Sequence, residues 1–346
     1  MRWGMRAATA ALVVAVAAAL VVELASGPTV AHSGTASARA ARVAPVLRIT
    51  PVFHDRGFAD PSVVAYSGGY LAISTGWRAP RAVSANPRGP WHPVRPALPT
   101  LPRWARSPEI WAADLVRAPH GWLLYYSAIA HGRRRRCIGV AAAAHALDPF
   151  RPVSRHPLVC PKRGGVIDPS GFTERNGRRY LLYKTQGNPS TIRLVKLARD
   201  GRHRAHGHHG RVLLRARHTI ENPVLVRHHR FLVLFTSEGY FGTCDYRTTW
   251  RRSRHLFGWR HAEPHSLLRR TGTRICGPGG ADILSAGRKQ PVVYFHGWTC
   301  GHGRRPCPHR FLLGRARRPY ARRVLYAAHL RWRHAEPRVH GFIRRS

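Results

Sequence analysis

Five short apolar runs, rich in aromatic and branched residues, recur along the chain: Gly69–Ser74, Gly121–Tyr126, Arg179–Tyr183, Arg230–Phe235 and Pro291–His296. Their apolar residues are consecutive rather than alternating, which predicts strands packed on both faces. An acid stands 8 to 12 positions before the first apolar residue of each run: Asp60, Asp114, Asp168, Glu221 and Asp282. Successive acids are 54, 54, 53 and 61 residues apart. Turn residues separate acid from run, as in Ser67-Gly68-Gly69, Pro119-His120-Gly121 and Asn176-Gly177, the last a strong hairpin signal. Each unit reads as an acid-bearing strand, a turn, and a second strand pairing back. Self-similarity at such a period marks a repeat architecture. Antiparallel four-stranded blades set radially would give an all-β fold, a five-bladed β-propeller. The innermost strand of every blade lines the central channel, so acids at one place in successive repeats converge on one axis.

Composition agrees with strands and turns: 27 Pro, 32 Gly and 44% hydrophobic residues, enough for a large core. At the start, Arg2 and Arg6 precede an unbroken small or apolar run of 16 residues, Ala7–Val22, and Thr29-Val30-Ala31 offers small residues for cleavage. Residues 1–31 therefore read as a secretory signal peptide. A retained anchor is the alternative, but the run is shorter than the roughly 20 residues a spanning helix needs. Residues 32–46 read as a flexible Ala/Arg/Ser linker and 47–346 as the folded domain.

The six cysteines fit an oxidising compartment and a secreted, extracellular product. Nearest-neighbour pairing joins Cys137 to Cys160, Cys244 to Cys276 and Cys300 to Cys307, one of about 15 possible connectivities. Cys300, His302, Cys307 and His309 also form a candidate zinc set. Their spacing matches no finger pattern, and a small disulfide loop suits a secreted chain better.

The formal net charge of +43 invites a nucleic-acid reading. The charge is spread along the whole chain, however, and only four of the 58 basic residues are Lys. Such an Arg excess fits a GC-rich coding bias, with no specific nucleic-acid partner. The runs Arg133–Arg136 and Arg202–Arg211 read as solvated loops. What survives is salt-dependent, nonspecific adhesion to anionic polymers or a cell envelope.

With only 15 Asp and Glu, the placement of acids carries information. Phe58-Ala59-Asp60-Pro61-Ser62, Trp111-Ala112-Ala113-Asp114, Ile167-Asp168-Pro169-Ser170, Glu221-Asn222-Pro223 and Gly277-Pro278-Gly279-Gly280, the last followed by Tyr294-Phe295-His296, appear in that order. In this series the chain resembles glycoside hydrolase family 43, over roughly residues 47 to 335 by its motifs. Ala113 departs from the proline usual in the second motif. The resemblance implies Asp60 as general base, Glu221 as general acid, and Asp168 as the carboxylate that tunes and orients the acid. It implies an inverting reaction, in which the two carboxyls stand about 6.5–9.5 Å apart with a water between them. Asp168 would raise Glu221 by like-charge repulsion. Each acid has a structural alternative, an Asx-turn or cap at a proline-containing turn.

Candidate substrate-binding residues are Phe58, Trp111, Asp114, Lys184 and Gln186, the aromatics by stacking on sugar faces or, alternatively, packing between blades. The resemblance also implies that His296 holds a metal, a structural calcium in the channel, with no cofactor required by the chemistry. Calcium's preference for oxygen ligands and the ordinary structural role of a lone histidine weigh against it. The activity implied is that of a secreted, monomeric α-L-arabinofuranosidase acting on arabinose-containing polysaccharide or oligosaccharide. Endo-arabinanase, β-xylosidase and a non-catalytic carbohydrate-binding propeller are the alternatives.

Overall fold

A computed structural model of the chain describes residues 49–132, 134–284, 290–301, 305–308 and 321–344. The expected signal peptide and linker, and His302 and His309 of the candidate zinc set, lie outside the described residues. The described chain is all-β apart from one four-residue helix, α1 (Arg270–Thr273).

Strands β1 (Ala59–Tyr66), β2 (Gly69–Trp77), β3 (Arg81–Ser84) and β4 (His92–Val94) pair antiparallel in sequence order. So do β5 (Glu109–Ala118), β6 (Gly121–Ile129), β7 (Arg136–Ala143) and β8 (Arg151–Pro152). A third set follows: β9 (Val166–Thr173), β10 (Arg179–Thr185), β11 (Ser190–Lys196) and β12 (Arg211–Ala216). The fourth is β13 (Ile220–His228), β14 (Phe231–Glu238), β15 (Arg247–Ser253) and β16 (His265–Leu268). In the last, β17 (Cys276–Leu284) and β18 (Val292–Cys300) are joined by β20 (Arg322–Arg333) and β21 (Glu336–Phe342), with the short β19 (Arg305–Pro306) beside β18. The first two sets also touch through Gly76 and Trp77 of β2, which pair with Ile110 and Glu109 of β5.

The second strand of every set is apolar on both faces because each face serves a different neighbour. Leu124 and Tyr126 of β6 pack with Leu71 and Ile73 of β2, whereas Leu123 and Tyr125 turn toward Leu181 and Tyr183 of β10. Leu182 of β10 packs with Leu225 and Leu234, while Val233 and Phe235 of β14 join Phe295 and Val324. Tyr294 and Val292 of β18 then meet Phe58, Val63 and Ala72 of the first set. Each such side chain contributes about 1.5–3 kcal/mol on burial. The fifth set is thereby in contact with the first. Asp282 Oδ2 accepts the Val63 N–H at 2.6 Å, and Phe53 bridges Leu325.

The disulfides are Cys137–Cys160, Cys244–Cys276 and Cys300–Cys307, the nearest-neighbour pairing read from the sequence. With Cys300 and Cys307 bonded to each other, the zinc alternative loses its thiolates. At Asn176-Gly177, Gly177 takes φ 79° and the Asn176 side chain accepts the Arg178 N–H, closing the expected hairpin.

The Asp282 contact between first and fifth sets is testable. Asp282→Ala leaves the Val63 and Ile283 N–H groups without their acceptor and should cost about 1–3 kcal/mol in urea unfolding. Asp282→Asn keeps an acceptor and should cost less than half as much. Equal losses would mean that volume, not the hydrogen bonds, matters there.

Candidate active site

The first strand of each set is broken by a bulge where one residue enters the left-handed region: Asp60 (φ 49°), Ala112 (40°), Asp168 (54°), Asn222 (48°) and Gly280 (59°). These five, not the five acids, are the equivalent positions. Asp60 and Asp168 occupy the bulge itself, Glu221 precedes it by one residue, and Asp114 and Asp282 follow it by two. A bulge re-aims the side chains beside it. One residue of offset therefore decides which way an acid points.

Asp114 and Asp282 consequently do not reach the cleft. With the bulge residues they line an inner cavity of about 30 Å³, room for one or two waters. Asp114 accepts the Ser62 hydroxyl at 3.0 Å and the Gly171 N–H at 2.7 Å, tying β5 to β1 and to β9. Burial outweighs these bonds and lifts its carboxyl to about 6, and burial with the nearby Asp114 lifts Asp282 to about 7. Asp114, expected to bind substrate, lines this inner cavity, and its oxygens accept from neighbouring strands.

Asp60, Asp168 and Glu221 line an adjoining cleft of about 420 Å³, which shares Asp60, Asp168 and Asn222 with the inner cavity and has Trp111, Lys184, Gln186, Tyr240 and Arg323 among its other walls. Asp60 Oδ1 accepts from Arg323 at 2.9 Å and Oδ2 accepts from the Thr75 hydroxyl at 2.8 Å. Thr75 itself accepts the Ala112 N–H, which fixes it. Burial alone would raise the Asp60 carboxyl, but Arg323, His296 and Thr75 together hold it below its ordinary value. Burial and Arg323 push His296 down to about 3. The imidazole is thus neutral in ordinary buffers, and the effect on Asp60 falls to the guanidinium and the hydroxyl.

Across the cleft the balance reverses. Burial and the adjacent Glu221 raise Asp168 to about 7, against Lys184 and the Asn222 N–H, which donates to Oδ2 at 3.0 Å. Lys184 Nζ lies 2.6 Å from Glu221 Oε2, both side chains nearly buried. Asp168 is the carboxyl that burial and its neighbour's charge lift.

Of the substrate-binding candidates, Trp111, Lys184 and Gln186 line the cleft. Phe58 does not: it is wholly buried, edge-on to Phe53 in the core between first and fifth sets. Phe58 and Asp60 are two residues apart, which regular alternation would put on one face; the left-handed bulge at Asp60 sends them apart. Arg136, expected in a solvated loop, is buried in β7 with its guanidinium 3.5 Å from the Trp111 ring centre. A planar cation stacks on an aromatic face at little cost in hydration.

His296 is wholly buried, with Nδ1 3.3 Å from Asp60 Oδ1. Its Nδ1 accepts the Asp60 N–H at 3.1 Å, and among the described residues its buried Nε2 has no hydrogen-bond partner. Among the described residues no three His, Cys, Asp or Glu side chains converge as ligands. What His296 does is pack: a Cβ on Gly280 would come within 2.5 Å of its Nδ1, and one on Gly279 within 2.1 Å of the Tyr246 ring. The Gly279-Gly280 pair exists for that close approach.

A family model for glycosyl hydrolases family 43 matches residues 50–333. The chain belongs to that family. The family-43 chain is 22% identical over 161 residues to the extracellular endo-α-(1→5)-L-arabinanase 2 of Bacillus subtilis, an alignment covering 38% of this chain. That match spans about a third of the relative's length, 34%. Among solved structures, an α-L-arabinanase of Cellvibrio cellulosa complexed with arabinohexaose superposes with TM-score 0.66 at 18% identity, over 82% of this chain and 95% of its own. An endo-1,4-β-xylanase of Bacteroides thetaiotaomicron gives TM-score 0.64 at 16% identity, over 85% and 98%. These likenesses show a shared fold.

The residues that sequence reasoning missed are Arg323 and Thr75. Arg323 is 263 positions from its partner Asp60 and was one Arg among many. Replacing it tests the electrostatic account. Arg323→Ala should raise the Asp60 pKa, move the acidic limb of glycoside hydrolysis to higher pH, and lower kcat/KM about ten- to a hundredfold below that limb. Thr75→Val should shift the limb the same way by less. A limb that stays put in both variants would show that neither residue sets the ionisation of Asp60.

Proposed function

We propose that this chain is a secreted, inverting glycosidase that releases L-arabinofuranose, with Asp60 as general base and Glu221 as general acid. The observation that carries the reading is the opposite bias of the cleft's two sides. Asp60 is held ionised by Arg323 and Thr75, as a base requires. On the other side Asp168, raised by burial and by Glu221, retains its proton up to about pH 7, so the acid side of the cleft holds a proton. The base takes a proton from water attacking the anomeric carbon. The pair gives its proton to the departing oxygen through Glu221, and Asp168 is then the positioning carboxyl. Lys184 keeps Glu221 from swinging out of the cleft and offsets the charge left behind after transfer.

Four four-stranded sets and a fifth of four strands with the short β19 beside them, each packed on the next and the fifth on the first, support a five-bladed β-propeller with the cleft over its axis. Three disulfides, and a relative named as extracellular, support secretion. Arabinose as the released sugar is supported by the relatives named as arabinanases, and the same names favour a second reading, endo-cleavage of arabinan.

The deciding assay compares nitrophenyl arabinofuranoside, nitrophenyl xyloside and linear arabinan. Release from the first alone supports the exo reading, a drop in arabinan viscosity the endo reading, and turnover of the xyloside alone would sink both. Asp60→Asn and Glu221→Gln should each slow hydrolysis about a thousandfold without unfolding the chain. The Glu221→Gln defect should shrink on leaving groups that need no proton. Activity should also fall as pH rises through about 7, where Asp168 loses its proton.

A further inference from the structure

Outside the cleft, the described surface holds two hollows that run on from it. The first, about 560 Å³, shares Gln186 with the cleft and is walled by Arg163, Arg193 and Arg204. The second, about 370 Å³, shares Pro157, Leu158 and Arg204 with the first and continues past Arg202 and His156. Among the described residues, no carboxylate lines either hollow. The cleft, by contrast, is lined by Asp60, Glu109, Asp168 and Glu221 against Lys184 and Arg323.

This basic tract is built rather than loose. Its outer wall, the Arg- and His-rich segment after β11, is pinned by backbone bonds from Ala198 to His203 and from Ala205 to Lys196. Arg193 holds the Gly210 carbonyl through both Nε, at 3.2 Å, and Nη2, at 2.5 Å. A Cβ on Gly210 would fall 1.9 Å from the Tyr183 hydroxyl, so the segment lies directly on β10. Asp200 is engaged with the Arg202 N–H and with His203 Nδ1 at 3.2 Å. The opposite wall is tied to β7 by the Cys137–Cys160 disulfide. Arg163, Arg202 and Arg204 remain exposed.

We propose that this tract binds the carboxylates of an acidic glycan, so that the substrate carries a neutral sugar at the cleft and uronate units beyond it. The proposal rests on reading the cleft as a glycosidase site. A guanidinium presents two parallel donors that match a sugar carboxylate. A uronate at the cleft itself would face four carboxyl side chains. In the two hollows the charged side chains it meets are arginines, with histidines beside them in the outer one. The tract therefore fixes the direction of the chain as well as its charge: the neutral unit to be cleaved lies toward Lys184, the acidic units toward Arg204.

The test measures binding by calorimetry to the full chain carrying Glu221→Gln. The probes are a defined oligogalacturonate and a neutral arabino-oligosaccharide. Arg163→Ser/Arg204→Ser removes two charges from the tract, and Arg230→Ser/Arg254→Ser removes two from the edge near Phe231. The tract pair should weaken oligogalacturonate binding roughly three- to tenfold and leave the neutral oligosaccharide unchanged, while the control pair should change neither. Rising salt should weaken only the acidic probe. Equal weakening by the control pair would overturn the proposal in favour of diffuse attraction. So would single-stranded DNA losing affinity in step with oligogalacturonate in the tract variant. Absence of hydrolysis on any pentoside would defeat the glycosidase reading while leaving the binding result standing, and hydrolysis without oligogalacturonate binding would defeat this inference alone.

Discussion

The kink at the start of each inner strand is the constraint on which the site depends. A single residue in the left-handed region costs free energy unless it is Gly, Asn or Asp. Four of the five bulge residues, Asp60, Asp168, Asn222 and Gly280, are of those types, and Ala112 is the exception. At Asp60, Asp168 and Asn222 the next residue is proline, which disfavours the right-handed helical region for the residue before it. The same local choice that bends the backbone also turns the Asp60 and Asp168 carboxyls toward the cleft. Fold and chemistry therefore share residues, and Asp60→Asn is a probe of chemistry because Asn tolerates the same backbone.

Around that frame, Arg323 lowers Asp60 while burial and Glu221 raise Asp168 against Lys184, so the carboxyls fall into unlike halves. Arg323 arrives from β20 and Lys184 from β10, so the division depends on sets distant in sequence being packed together. Each cation is itself seated: Arg323 lies over the Phe241 and Trp298 rings, and Lys184 is nearly buried beside Glu221. Mispacking between first and fifth sets would cost Asp60 its charge partner before it cost the chain its sheets.

Much of this was legible in the chain. The five apolar runs became β2, β6, β10, β14 and β18, since a strand buried on both faces has no freedom to be polar. The disulfide pairing followed from proximity, and Asp60, Asp168 and Glu221 do share one cleft. The spacing of acids was a poorer guide than it looked. Asp114 sits at the expected interval yet two residues past its bulge, which sends it to the inner cavity. A two-residue offset is invisible in a period of more than fifty. Phe58 was misplaced for a related reason, because side chains flanking a bulge diverge. Arg323 was beyond reach: nothing local marks one arginine of an Arg-rich chain as the partner of an acid 263 positions away.

The central claim is that Asp60 is ionised while the Asp168–Glu221 pair shares a proton. Carboxyl carbon NMR of the substrate-free protein, labelled at Asp and Glu and assigned through Asp60→Asn and Asp168→Asn, reads this directly. The account predicts that Asp60 shows no titration between pH 5 and 8, because it lies below its ordinary 3.8, while Asp168 releases its proton near 7. A pair fully ionised at pH 5, or an Asp60 that titrates near neutrality, would contradict it.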